Sequence, residues 1–204
     1  MNKLFAFITG ALFAFVTLAA HAQETPDALI KRVASDVFAT IKADKDLQSG
    51  NKSKLYALVD TKIASNFDFL RMTSLAMGRN WSKATPEQQK QLIEQFRTLL
   101  VRTYSGALTQ YKDQTIDFKP LRADPAATDV IVRSEVVRAG QAPVQIDYGM
   151  TKTASGWKAY DVIVGGVSLV TNYRDEFNEQ IKAGGVDGLI KTLVEKNKGA
   201  SGKS

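Results

Sequence analysis

The 204-residue sequence predicts an α+β fold: a curved, four-stranded antiparallel sheet covered on one face by helices from both ends of the chain, enclosing an apolar cavity. Three observations carry that expectation. Apolar residues recur at steps of three and four before Tyr111 and again after Ser168, as on amphipathic helices. Between Ile116 and Val164 they alternate in runs separated by short turns, as in a meander with one apolar face. Within the stretch Trp157 to Phe177 the period of two gives way to the helical period across Gly165-Gly166, so a last strand turns sharply into a helix.

Taking the elements in order, Met1-Asn2-Lys3 precedes an apolar run from Leu4 to Ala20 that ends in Ala20-His21-Ala22. A short positive start, an apolar middle and small residues at the exit read as a secretory signal peptide over 1–22, cleaved after Ala22. The small-residue exit, and no positive stop behind the run, argue against a retained membrane anchor. No cysteine is present to take a lipid anchor. Residues 23–195 then form a single domain, and the Lys-, Gly- and Ser-rich stretch 196–204 a disordered tail.

Thr25-Pro26 opens the first helix, with proline at its favoured first position. Leu29, Val33, Val37 and Ile41 form its stripe, with Lys31, Arg32 and Asp36 off it. Ser49-Gly50-Asn51 separates a second helix, buried along Leu55, Leu58, Val59 and Ile63. The third, from Phe67 to a stop at Gly78, is apolar nearly all round, with a polar strip only at Asp68, Arg71 and Ser74. It is too short to span a bilayer. Trp81 lies in a short connection. Thr85-Pro86-Glu87-Gln88 is a capping box with proline at N1, opening a helix to about Tyr111. The stripe Leu92, Phe96, Leu99, Thr103, Ala107 is wide enough to cover a sheet.

Pro120 marks the strand at Ile116 and Phe118 as an edge. Val130, Val132 and Val136 share a face of the second strand, and Val144, Ile146, Tyr148 and Met150 a face of the third. Tyr160, Val162 and Val164 do so on the fourth. Ser168 caps the helix that follows, carrying Val170, Tyr173, Phe177 and Ile181, and Gly184-Gly185 divides it from a last helix bearing Leu189 and Leu193.

Composition excludes more than it selects. With no cysteine there is no disulfide, thiolate nucleophile or Cys-ligated metal, and the sole histidine, His21, leaves with the leader. Ser-His-Asp and Cys-His catalysis are thereby excluded, and the commonest metal ligand is missing. The formal charge of +6 comes without a basic run interleaved with aromatics, which argues against nucleic acid. Lys112, Lys119, Arg122, Arg133 and Arg138 read as a solvated basic face or a docking surface.

Four passages carry a family resemblance: the leader, GRNWSKATPEQ at 78–88, FRTLLVRTY at 96–104, and WKAYDVIVGGVSLVTNYR at 157–174. Together they resemble the periplasmic phospholipid carriers of the Mla lipid-asymmetry transport system, the MlaC or toluene-tolerance auxiliary family. The resemblance spans essentially the whole chain after the leader, and 157–174 is its most specific part. It implies a non-enzymatic shuttle in the periplasm without metal or cofactor, whose cargo is a phospholipid with its acyl chains in an apolar pocket. Its implied partners are an outer-membrane lipoprotein-porin complex and an inner-membrane ABC transporter complex with its substrate-binding subunit, each docked transiently.

For the pocket wall the residue pattern nominates Leu70, Leu75, Leu99, Tyr104, Ile146, Tyr148, Tyr160, Val162, Val164, Val167, Val170 and Tyr173, with Met77 and Met150 as adaptable neighbours. Asp161 and Arg174 read as structural hydrogen-bond partners. Two other readings stand beside the carrier. An exported enzyme would rest on Asp161 beside Tyr160, which alternate strand faces keep from converging. An exported adaptor would bind protein and carry no lipid.

Overall fold

The computed structural model describes residues 24–110 and 114–199; the expected leader at 1–22, Tyr111, Lys112 and the last five residues lie outside them. Among the described residues no helix is long and apolar enough to cross a membrane.

The helical half is punctuated by its own side chains. Helix α1 (Pro26–Ala43) starts on proline, and Asp44 caps α2 (Lys45–Gln48) by accepting from the Asp46 and Leu47 N–H groups. Asn51 does the same for α3 (Lys52–Leu58) through the Lys54 N–H. The chain then winds through a π-helical turn, Val59–Ile63, and a 3-10 turn, Ala64–Asn66. Asp68 caps α4 (Phe69–Met77) by accepting from the Arg71 N–H at 2.8 Å, and Gly78 ends it at φ +52°, where a Cβ is disfavoured. Leu70 remains 57% exposed, so α4 is open on one side rather than enclosed all round.

The capping box of α5 (Pro86–Tyr104) forms as expected: the Gln88 N–H donates to Thr85 Oγ1, and Gln88 Oε1 accepts from the Thr85 N–H. The α-helix stops at Tyr104 rather than near Tyr111. Ser105-Gly106 follows, both weaker helix formers, and the chain tightens into a 3-10 stretch over Ser105–Gln110.

The sheet is an antiparallel meander in the order β1-β2-β3-β4-β5: Thr115–Phe118, Asp129–Val137, Val144–Thr153, Gly156–Val164 and Val167–Ser168. The fifth strand corrects the expected count of four. Gly165 and Gly166 both hold positive φ, +56° and +85°, and Val164 pairs with Val167 across them. The expected break is therefore a two-residue hairpin of the kind that needs left-handed backbone at both positions. Helix α6 (Leu169–Gly199) then begins, interrupted at Gly185, whose φ +69°, ψ −171° belongs to glycine alone. The expected division at Gly184-Gly185 is thus present as a kink.

Packing divides the molecule. Leu29 and Ile30 of α1 lie on the sheet against Val130, Val132, Met150 and Ala159. The stripe of α5, expected on the sheet, packs instead on α4 and α6: the Phe96 ring meets those of Tyr173 and Phe177 edge-on, each at 5.0 Å. Tail residues Lys196–Gly199 are helical rather than disordered, because Asn197 is buried and donates to Gln95 O and Oε1 at 3.0 Å while its own carbonyl accepts from Arg102.

Candidate functional site

Where α1, the end of α5 and the sheet converge, their side chains leave a cavity of about 310 Å³. Helix α1 contributes Ile30, Val33, Ala34, Val37 and Phe38. Val59, Ile63, Ala64 and Asn66 come from the π and 3-10 turns, followed by Phe67, Phe69 and Met72. Leu100, Val101, Tyr104 and Ser105 close the side formed by α5, with Ala107 and Leu108 beyond. Ile116, Ile146, Tyr148, Val162 and Val164 form the sheet wall, and Leu169 completes it.

Among the described residues no acidic or basic side chain lines this space, and the polar groups they bring to it are Asn66, Ser105 and the two tyrosines. Such a wall offers no anchor to a charged ligand and favours a hydrocarbon one, for which burial of apolar surface is the driving force. Beside the wall, burial holds the Tyr173 phenol well above its ordinary value, and neighbouring Tyr104 adds to the shift. No group of three or more carboxylate, histidine or cysteine side chains could hold a metal ion among the described residues.

Of the twelve wall residues expected from sequence, Tyr104, Ile146, Tyr148, Val162 and Val164 line the cavity together. The other seven lie elsewhere. Leu75, Leu99, Tyr160, Val170 and Tyr173 pack in or against the α4–α5–α6 core, and Leu70 and Val167 are exposed, Val167 at 59%. Met77 and Met150 are fully buried in separate cores; Met72 is the methionine that reaches the cavity.

Tyr160 departs for a specific reason. Gly149 pairs with Asp161 but Met150 pairs with Ala159, so Tyr160 is an extra residue, a β-bulge. Strict alternation from Val162 puts it on the cavity face. The bulge turns it to the other side, where its ring lies so close over Gly149 that a Cβ there would sit 3.1 Å from Tyr160 Cζ.

Asp161 and Arg174 are structural partners. Asp161 accepts from Ser168 Oγ at 2.6 Å and from the Val170 N–H at 3.2 Å, fixing the start of α6, and Ser168 caps the Thr171 N–H. Arg174 donates to the Leu75 carbonyl at 3.0 Å, tying α6 to α4. The bulge brings Tyr160 and Asp161 to the same side of the sheet, against Gly149, correcting the expected alternation; there Asp161 is engaged as a cap and Tyr160 is covered by Arg71 at 3.9 Å.

Sequence reasoning missed the α1 wall. Ile30, Ala34 and Phe38 recur at steps of four, one position beyond the stripe at Leu29, Val33 and Val37. That second stripe was readable, since an apolar arc wider than one row signals contact on two sides.

The family model described as MlaC protein matches residues 31–195. The toluene tolerance protein ttg2D of Pseudomonas putida is 28% identical over 184 residues, covering 90% of this chain and 83% of that protein. The intermembrane phospholipid transport system binding protein MlaC of Haemophilus influenzae is 26% identical over 199 residues, covering 96% and 93%. A phospholipid-binding protein from Ralstonia solanacearum, solved in complex with a phospholipid, superposes with a TM-score of 0.81 at 46% identity, over 88% of this chain and 99% of that one.

Proposed function

From the premise that this chain belongs to the MlaC family, we propose that it is a periplasmic phospholipid-binding shuttle. It carries glycerophospholipid between an outer-membrane lipoprotein-porin complex and an inner-membrane ABC transporter complex with its substrate-binding subunit. It performs no chemistry on the cargo. The acyl chains lie against Tyr104, Ile146, Tyr148, Val162 and Val164 on one side and the second α1 stripe on the other. The observation that carries this reading is the uncharged cavity itself.

The energetics fit the task. One acyl chain seated against this wall brings on the order of ten methylenes out of water. At about 0.8 kcal/mol per buried methylene, that is roughly 8 kcal/mol relative to water, the order of a micromolar dissociation constant. A head group left in solvent adds no desolvation cost to that sum. The two relatives named for phospholipid, one with its ligand in place, support the same cargo here.

The test is chemical. Protein purified without detergent and extracted with chloroform-methanol should yield glycerophospholipid near one equivalent by mass spectrometry. An empty extract, together with no lipid uptake from phosphatidylglycerol vesicles, overturns the reading.

A further inference from the structure

Among the described residues, Leu169 alone brings α6 to the cavity wall. It is the first residue of that helix, and its neighbour Val170 is 3% exposed in the α4–α5–α6 core. Successive helical residues lie about 100° apart, so these neighbours serve two separate apolar bodies only while the first turn keeps one rotation. Val170, Tyr173 and Phe177 fix the body of α6 in its core, and Leu169 is not part of that cluster.

The backbone ahead of Leu169 does little to hold it. Gly165 and Gly166 stand at positive φ, with open space where each Cβ would be. Strand β5 is two residues long and pairs only Val167 with Val164 and Ser168 with Ile163. The first N–H groups of a helix have no carbonyl behind them, so a first turn without side-chain partners frays.

Two side chains supply those partners. Asp161 of β4 brackets Leu169: its Oδ2 accepts from Ser168 Oγ at 2.6 Å and its Oδ1 from the Val170 N–H at 3.2 Å. Ser168 Oγ in turn accepts from the Thr171 N–H at 3.0 Å. Asp161 is itself fixed, since β4 is paired along its length with β3 and Gly149 is its partner. Among the described residues, no other part of the wall has both its chain neighbours bonded to one side chain of a different element.

We infer that Asp161 is a positioning residue for the cargo. Through Ser168 and the Val170 N–H it holds Leu169 on the cavity wall, and so sets how long an acyl chain stays bound. The role rests on the lipid-carrier reading and adds to it a polar group outside the cavity.

The test measures release. The parent chain and each variant are loaded with deuterated dipalmitoyl-phosphatidylglycerol and mixed with excess unlabelled phosphatidylglycerol vesicles. Mass spectrometry of the re-isolated protein gives the rate at which label is lost, while circular dichroism and urea titration report fold and stability. Leu169→Ala should release label about tenfold faster, the order expected when a pocket loses methylene contacts. Asp161→Ala should accelerate release to a similar extent, although Asp161 does not line the cavity. A residue that acts through Leu169 adds nothing once that side chain is gone. The double variant Asp161→Ala, Leu169→Ala should therefore release label no faster than Leu169→Ala alone. Arg71→Ala, which removes a polar tie to β4 away from Leu169, should lose stability and keep the parent rate.

Ser168→Ala breaks half of the clasp and takes the place of Asp161→Ala should that variant not fold. It should also speed release, and Ser168→Thr, which keeps the hydroxyl, should recover most of the retention. A parent rate in Leu169→Ala or in the clasp variants overturns the assignment. So does a double variant whose acceleration is the product of the two single ones, or equal acceleration in Arg71→Ala. A parent chain that takes up no label overturns the carrier reading itself, and this role with it.

Discussion

The guanidinium of Arg71 lies 3.9 Å from the centre of the Tyr160 ring, and its Nη1 reaches Asp129 Oδ1 at 2.7 Å. One side chain of α4 thereby joins the bulge of β4 to the start of β2. The ion pair is partly exposed and contributes about 0–1 kcal/mol; the cation–π contact adds about 0.5–1 kcal/mol. Arg71→Ala should therefore lower unfolding free energy by about 1–2 kcal/mol in urea titrations, with Arg71→Lys intermediate because lysine lacks the planar fork. Lipid content should be unchanged, since neither Arg71 nor Tyr160 lines the cavity. A loss of lipid in folded Arg71→Ala protein contradicts this placement.

Val162 and Val164 share a strand face and both line the cavity, yet they should respond differently to the same substitution. Val162 is half-buried beside Tyr148. Val164 is 40% exposed, next to the Gly165-Gly166 hairpin. An arginine at 162 has to bury its charge, whereas one at 164 can extend its head to solvent. Val162→Arg should abolish co-purified lipid while keeping the circular dichroism spectrum. Val164→Arg should retain a substantial part of it. Equal loss in both variants moves the mouth of the cavity away from the hairpin.

Tyr173 gives the fold an alkaline limit. Burial, followed by the presence of Tyr104, raises the pKa of its phenol in the folded chain. In the unfolded chain the phenol ionises near pH ~10, so above that value the unfolded state releases a proton that the folded state keeps. The associated stability is fully present below about pH 10 and declines as pH rises toward the folded value. Thermal unfolding between neutral and strongly alkaline pH should show the decline, and Tyr173→Phe should flatten it. An equal slope in the variant assigns the alkaline sensitivity to other groups.

Much of this architecture is legible in the letters because the signals are local. Thr85 and Gln88 announce a helix start through their own side chains, and Val130, Val132 and Val136 declare a face by spacing alone. The bulge at Tyr160 was not legible, because it depends on the pairing of two strands and moves a residue predicted for the cavity to the opposite side. The π turn at Val59–Ile63 has the spacing of ordinary helix, since one added residue barely disturbs a short apolar stripe. Leu99, Val170 and Tyr173 have the composition of a pocket wall, and only tertiary packing assigns them to the Phe96–Phe177 core instead.

Among the described residues the cavity wall has no charge to lose. On the carrier reading, cargo leaves without breaking an ion pair and without waiting for a proton, so neither salt nor mild acid should act as the trigger for unloading. Retention then depends on how much oil the berth offers compared with the next one. A protein built this way is indifferent to direction, and the gradient that drives traffic has to be supplied by whatever stands at either end of the journey.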